Sequence, residues 1–436
     1  MENMQSEISK PVLRGKSIDS DDYTLADFAE CEGNDLFVKA DLCYEYVKDW
    51  KLKGTYQFQR PLLSACENRV MMYDDALGCE REMIMMASNN YLGLSTHPKT
   101  VEAAQNALKK YGTGVSSAPM LSGTLDLTRK LERKIAEMKG CEDAIVFSTG
   151  YSANVGAISG LIRTGDVVLI DRLDHASIID GCKLAGGNFR TFKHNDMKSL
   201  EMQLKKCESA FKGKLIVVDG VFSMDGNLTN LPEIVKLAGR YGARVMVDEA
   251  HGTGVLGEHG GGTTDHFDLQ GKVDLVMGTF SKALASTGGF VASTKEVVNY
   301  LRYYARSYSF SAAPTPAIIA SVLAGLDVIK EEPELRKKLW DNVHYMHENL
   351  KTLGFDVYPS RPESAIMIIT IGDEVKLRKM SKEVHEAGIY VNPVPFPAVP
   401  KNMSRFRFSL MSTHTRKDID ETLDVFEKVG KKYGVI

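Results

Sequence analysis

The chain has 436 residues, 43% of them hydrophobic and 25% charged, with a formal net charge of −3. That length exceeds one small core and calls for a large α/β domain plus a smaller one, while the nearly balanced charge offers no basic surface for nucleic acid. The seven cysteines, at 31, 43, 66, 79, 141, 182 and 207, include no C-x-x-C pair; this argues against a disulfide framework or structural zinc and for a reducing cytosol.

In chain order, residues 1–34 form a polar, acidic leader expected to be poorly ordered. Its start, MENMQSEISK, lacks the basic and apolar regions of a signal peptide. Residues 35–97 form an N-terminal segment. Within it, 35–53 has the spacing of an amphipathic helix, and 68–87 reads as a hairpin turning at 74–78. Residues 98–313 form the large domain. Short apolar runs at 144–147, 167–170, 215–218, 245–247, 275–277 and 289–292 alternate with helical stretches. Runs apolar at nearly every position suit strands buried on both faces of a mostly parallel sheet. Residues 314–436 form a smaller α+β domain: a helical region to about 353, a strand at 365–371, a helix at 374–387, a Pro-broken segment (VNPVPFPAVP), a strand at 405–410 and a closing helix from 417. No apolar stretch approaches the ~20 residues of a bilayer-spanning helix.

The polar residues of interest fall just beyond strand ends, where open α/β sheets bind ligands. Asp248 and His251 lie in VMVDEAHGTG, Lys282 in LVMGTFSKALASTGG, Ser223 in LIVVDGVFSMDG, His175 in VVLIDRLDHASIIDG, and Gly150 and Tyr151 in AIVFSTGYSAN. These types meet the needs of pyridoxal 5'-phosphate (PLP). A lysine (Lys282) carries the aldehyde, a carboxylate (Asp248) keeps the ring nitrogen protonated, and a ring (His175) covers the cofactor face. A helix start at Gly150 and Tyr151, with the Thr279 hydroxyl, suits the phosphate. Taken singly each residue has an ordinary explanation, and the set carries the reading. The DEAH tetrapeptide also occurs in nucleotide-hydrolysing helicases, but that requires G-x-x-x-x-G-K-[ST]. The only GKS, at 15–17, has Lys10 five residues before its glycine.

The sequence resembles the α-oxoamine synthases, a branch of the fold-type I PLP enzymes. NNYLGLSTHP, STGYSAN, HASIIDG, DGVFSMDG, DEAHGTGVLGEHG, GTFSKALASTGG, YSFSAAPTP and RFRFSLMSTHT occur in family order from about residue 89 to 414. The resemblance implies that Lys282 binds PLP and moves the Cα proton, that Asp248 pairs with the pyridine nitrogen, and that His175 stacks on the ring. It implies that His251 and Ser223 bond the phenolate oxygen. Gly150, Tyr151 and Thr279 would hold the phosphate, with Ser311 reaching in from a second copy in a homodimer with shared active sites. Asn89 and Arg407 would bind the amino-acid carboxylate. Arg405 lies on the same strand face, since residues two apart point the same way; spacing leaves both arginines open, and only the family block favours Arg407.

Two departures stand out. Ala118 and Pro119 replace the [ST]-R pair of many members, in GTGVSSAPMLSGT, which leaves room for an amino-acid side chain and removes a familiar acyl-chain contact. Ala285 replaces the usual glycine three residues after the lysine. GTLDL and GTFSKALASTGGF look closest to bacterial serine palmitoyltransferases. The resemblance implies decarboxylative condensation of a small L-amino acid with an acyl thioester, carried on CoA or acyl carrier protein, to an α-amino ketone. L-Serine with a long acyl chain comes first and L-alanine with pimeloyl thioester second, as in 8-amino-7-oxononanoate synthase. A catalytically silent partner subunit is the alternative of another class, against which Lys282 counts. An ordinary PLP aminotransferase fits the ordered blocks poorly.

Overall fold

The computed structural model describes residues 18–31, 35–74 and 77–436. The expected helix near residue 35 is α1 (Val38–Leu52), which buries Tyr46 and Trp50 one turn apart. Strands β1 (Arg69–Asp74) and β2 (Cys79–Met85) form the expected antiparallel hairpin; part of its turn, 75–76, lies outside the described residues. Helices α2 (Pro98–Tyr111) and α3 (Asp126–Lys139) lead into the main sheet.

That sheet has seven strands: β3 (Asp143–Phe147), β4 (Val167–Asp171), β5 (Asn188–Phe192), β6 (Lys214–Asp219), β7 (Arg244–Asp248), β8 (Leu275–Thr279) and β9 (Gly289–Ser293). Their order is β3-β9-β8-β7-β6-β4-β5. Strand β9 runs antiparallel to both neighbours, and the β5-β4-β6-β7-β8 pairings are parallel. Alternation explains why the strands read as unbroken apolar runs. Val168, Ile170, Leu215 and Val217 feed the core on one face; Val167, Leu169, Ile216 and Val218 feed the core on the other. Helices α4 (Gly150–Leu161) and α5 (Ala176–Leu184) follow β3 and β4.

The expected helical region after residue 314 is two helices, Pro316–Glu331 and Pro333–Thr352. They break at Glu332, where the chain leaves helical angles because Pro333 disfavours them in the preceding residue. Beyond lie β10 (Val357–Tyr358), β11 (Ile366–Gly372), β12 (Ile389–Tyr390), β13 (Asn392–Val394) and β14 (Ser404–Ser409), with helices Glu374–Glu386 and Arg416–Lys432. The antiparallel order β10-β11-β14-β13 makes a second sheet, and β12 joins the β1–β2 hairpin. One apolar core runs from Val146 and Phe290 of the main sheet through Leu326 and Val343 to Phe406 and Phe426. The C-terminal region is thus welded to the large one.

The leader departs from the expectation of poor order where it is described. Ile18 and Phe28 are buried beside Tyr46 and Trp50. Ser20 donates its N–H to Asp49 (2.8 Å) and accepts from Arg378 (2.7 Å). Polar composition hid the anchors Ile18, Tyr23 and Phe28, which pack in one cluster with Tyr46 and Trp50 of α1. Residues 1–17 and 32–34 lie outside the described residues. Among the described residues no helix is long and apolar enough to cross a membrane.

Candidate active site

Parallel strands bring their carboxyl ends to one edge, so the segments after β3, β4, β6, β7 and β8 meet there. They enclose a cavity of about 290 Å³ lined by Gly150, Tyr151, His175, Ser223, Asp248, His251, Thr279 and Lys282. These eight residues are 132 positions apart at the extremes of the sequence, Gly150 to Lys282, and the sheet collects them. Lys282 sits in the 280–288 loop that reverses the chain from β8 into antiparallel β9. The Phe280 N–H (3.0 Å) and the Thr279 hydroxyl (2.9 Å) both donate to the Gly288 carbonyl and close this loop. Ala285 adopts a left-handed φ of 48°, a conformation that glycine takes up more readily than alanine.

Asp248 ends β7. Its Oδ1 accepts from the Ala250 N–H at 2.8 Å and its Oδ2 from the Asn154 amide at 2.7 Å. Lys282 is half-buried, and burial, with the Arg407 charge beside it, pulls its amine below the ordinary lysine range against the pull of Asp248 and Asp219. His251 is buried and is held well below the usual imidazole value by burial first, then by the charges of Lys282, Arg407 and His175. Its Nδ1 shares a 2.7 Å hydrogen bond with the Tyr91 hydroxyl. Asp219 also lines the cavity. Burial and the nearby Asp248 push its carboxyl well above the usual range, and burial and Asp219 do the same to Asp174 behind it.

Asn89, Arg407 and Ser311 stand outside the cavity's lining. Arg407, 5% exposed, adjoins it: Nε donates to the Ser223 carbonyl (2.6 Å) and the other nitrogens to the Ser409 hydroxyl (2.9 Å) and Asn89 Oδ1 (3.2 Å). Arg405, one strand repeat away, forms an ion pair with Asp225 at 2.6 Å. Among the described residues no carboxylate makes an ion pair with Arg407. The structure therefore separates two arginines that spacing left equivalent. Ser311 is half-buried at the surface, next to Ala312, whose carbonyl accepts from Ser148 at 2.6 Å. Ala118 precedes a single π-helical turn, Pro119–Gly123, and is not among the cavity residues.

The donor set fits PLP. Among those eight residues one amine, one anchored carboxylate, two imidazoles and three hydroxyl-bearing side chains face a cavity near the lower size of small-ligand sites. The first turn of α4 supplies N–H groups without intrahelical acceptors. A Cβ at Gly150 would come within 2.8 Å of Thr279, so glycine is what lets this helix start close against the β8 end. Asn154, Ser177 and Asp219 also line the cavity and were not singled out from the sequence. A signal existed for Asn154: it lies one turn beyond Gly150, on the same helix face.

Comparison with known proteins gives a consistent picture. The family model "Aminotransferase class I and II" matches residues 81–426. A serine palmitoyltransferase of Sphingobacterium spiritivorum is 46% identical over 89% of this chain and 95% of its own. An 8-amino-7-oxononanoate synthase of Thermoanaerobacter pseudethanolicus is 43% identical over 91% of this chain and 98% of its own. The 4-hydroxy-2,2'-bipyrrole-5-methanol synthase PigH of Serratia sp. is 43% identical over 99% of this chain, which spans 66% of that protein. A solved serine palmitoyltransferase structure, described as holding the PLP internal aldimine, superposes with a TM-score of 0.88 at 32% identity, covering 92% of this chain and all of that one.

Proposed function

The chain belongs to the class I and II aminotransferase family as a PLP-dependent α-oxoamine synthase, an acyltransferase, and from that premise we propose that it condenses L-serine with a long-chain acyl thioester. The products are an α-amino ketone, CO₂ and the free thiol. Bound PLP supplies an electron sink for the carbanion at the amino acid's Cα.

The chain's own residues supply the rest. Lys282, Asp248, His175, His251 and Ser223 hold the cofactor, with Gly150, Tyr151 and Thr279 at its phosphate and Ser311 of the partner subunit completing the site in a homodimer. Arg407 and Asn89 grip the amino-acid carboxylate, for which a planar guanidinium is the matching fork. The Lys282 amine, lowered by burial and by Arg407, is neutral more often than an exposed lysine and removes the Cα proton. Asp248, pinned through both oxygens, holds the proton on the ring nitrogen. Enclosure of these groups at the cavity edge limits water around the carbanion.

One observation carries the reading: a buried Arg407 that has no carboxylate partner among the described residues, beside a cavity lined by Lys282 and Asp248. Serine is favoured by the likeness to proteins named serine palmitoyltransferase. The 43% identical relative named 8-amino-7-oxononanoate synthase supports alanine with a pimeloyl thioester as the second reading. The thioester carrier is CoA or acyl carrier protein, and the site of action is the cytoplasm. The test is a matrix of glycine, alanine and serine against short, dicarboxylic and long acyl thioesters, scored by thiol release and product mass. Serine with a long chain should give the highest kcat/KM. Preference for alanine with pimeloyl thioester would install the second reading, and no condensation with any pair would indicate a silent subunit.

A further inference from the structure

Along the cavity wall, four side chains form one hydrogen-bonded line. The Asn154 amide nitrogen donates to Asp248 Oδ2 at 2.7 Å and to the Ser177 hydroxyl at 2.9 Å. The Ser177 hydroxyl lies 2.7 Å from His175 Nδ1, and the Ser177 backbone N–H donates to the same Nδ1 at 3.3 Å. Asn154 and Ser177 are each 1% exposed, and His175 is the N-cap of α5.

Each hydrogen in this line has a single consistent assignment. An amide facing a carboxylate must present its NH₂, so Asn154 donates in both directions. A backbone N–H can only donate, so His175 Nδ1 must accept and carries no proton. The Ser177 hydroxyl, already receiving a hydrogen from Asn154, must then donate to Nδ1. The neutral ring therefore bears its proton on Nε2.

We propose that Asn154 and Ser177 are positioning residues that lock His175 in the Nε2–H tautomer and, through the same amide, orient Asp248. The relay rests on the proposed placement of the cofactor between His175 and Asp248. It has a chemical consequence. With Nδ1 occupied from behind and Nε2 protonated, His175 offers the cavity a donor and no basic lone pair. Base chemistry at Cα then falls to Lys282, while His175 can bond a carboxylate or a thioester carbonyl oxygen. The relay also ties two cavity-lining groups, His175 and Asp248, to one asparagine, so their geometry is coupled.

The experiment is nitrogen-15 NMR of the PLP-loaded enzyme labelled at histidine, with the His175 signals assigned by their loss in His175→Gln. The parent should show an unprotonated Nδ1 and a protonated Nε2 at neutral pH. Ser177→Ala should move the Nδ1 resonance and lower kcat about tenfold, the effect of one lost hydrogen bond, with little change in the amino-acid KM. Ser177→Thr should restore both. Asn154→Ala should move the Nδ1 resonance together with the pH response of the cofactor's visible absorbance. A proton on Nδ1 in the parent, or a resonance unmoved in Ser177→Ala, overturns the relay. Asn154→Ala moving only one of its two signals overturns the coupling. Because the tautomer is read without substrate, failure of the serine assignment leaves these outcomes distinct.

Discussion

The N-terminal clasp and the catalytic cavity both enclose cations and treat them oppositely. In the clasp, Arg378 stacks 4.1 Å from the Trp50 ring centroid, pairs with Glu374, and donates to the Ser20 carbonyl and the Tyr46 hydroxyl. Lys139, buried near the main sheet, donates to the Thr253 hydroxyl (2.8 Å) and the Gly261 carbonyl (2.7 Å). At the cavity, neither Lys282 nor Arg407 makes an ion pair with any described residue. An enclosed cation without a counter-ion costs several kcal/mol; Lys139 offsets part of that with two neutral oxygen acceptors, whereas Lys282 and Arg407 lie at or beside an open cavity. Arg378 holds the clasp together; under the proposed function Lys282 and Arg407 instead meet a cofactor and a carboxylate.

The largest test of this contrast is Lys282→Ala. Turnover should fall by more than about 10⁴-fold, as for loss of an essential base, and the visible absorbance of lysine-bound cofactor should vanish. The far-UV circular dichroism should stay unchanged. Residual cofactor bound covalently to another lysine, detected by borohydride reduction and peptide mass, would break the assignment.

The two arginines of β14 give the next contrast. Arg407→Ala should raise the amino-acid KM about 100-fold, near 3 kcal/mol for a charge-assisted pair of hydrogen bonds, and leave the urea midpoint unchanged or higher. Arg405→Ala, which strands Asp225, should lower the midpoint and leave KM within about twofold. Steady-state kinetics and urea melts on both variants decide it; equal effects on KM would return the arginines to the ambiguity of their spacing.

Arg378→Ala should act on stability alone. Removing one partner from a largely buried pair costs about 3 kcal/mol, read as a lower urea midpoint, with kcat per folded molecule unaltered. This clasp was the part of the fold least visible in the sequence. Its anchors, Ile18, Phe28, Tyr46 and Trp50, are scattered among acidic residues, and their partner Arg378 is 360 positions from Ile18. The main sheet was legible for the opposite reason. Strands buried on both faces, such as β4 and β8, are apolar at almost every position. Edge strand β5 (NFRTF) is mostly exposed and carries no such run, and the two-residue β10 and β12 are too short for a period. The direction of β9 was hidden because an apolar run has no polarity. In the site, strand-end residues with distinctive chemistry were readable, while Asn154 and Ser177 work through contacts that only the folded sheet creates.

The smallest predicted effect concerns the loop that carries Lys282. Ala285 adopts φ 48° there, and its N–H donates to the Lys282 carbonyl at 2.8 Å. A left-handed conformation costs a non-glycine residue about 1–2 kcal/mol, whereas glycine adopts it freely and loses roughly 0.5–1 kcal/mol of unfolded-state entropy instead. Ala285→Gly should therefore raise the unfolding free energy by about 0.5–1 kcal/mol. The side chain is half-buried and touches the main apolar core, so loss of one methyl's burial offsets part of the gain, by under about 0.8 kcal/mol. If the strain helps to hold Lys282 over the cavity, the relaxed loop should also lower kcat slightly while leaving the amino-acid KM alone. A urea melt in which glycine lowers the midpoint would mean that packing outweighs backbone strain at residue 285, and that the alanine is there for the core and not for the lysine.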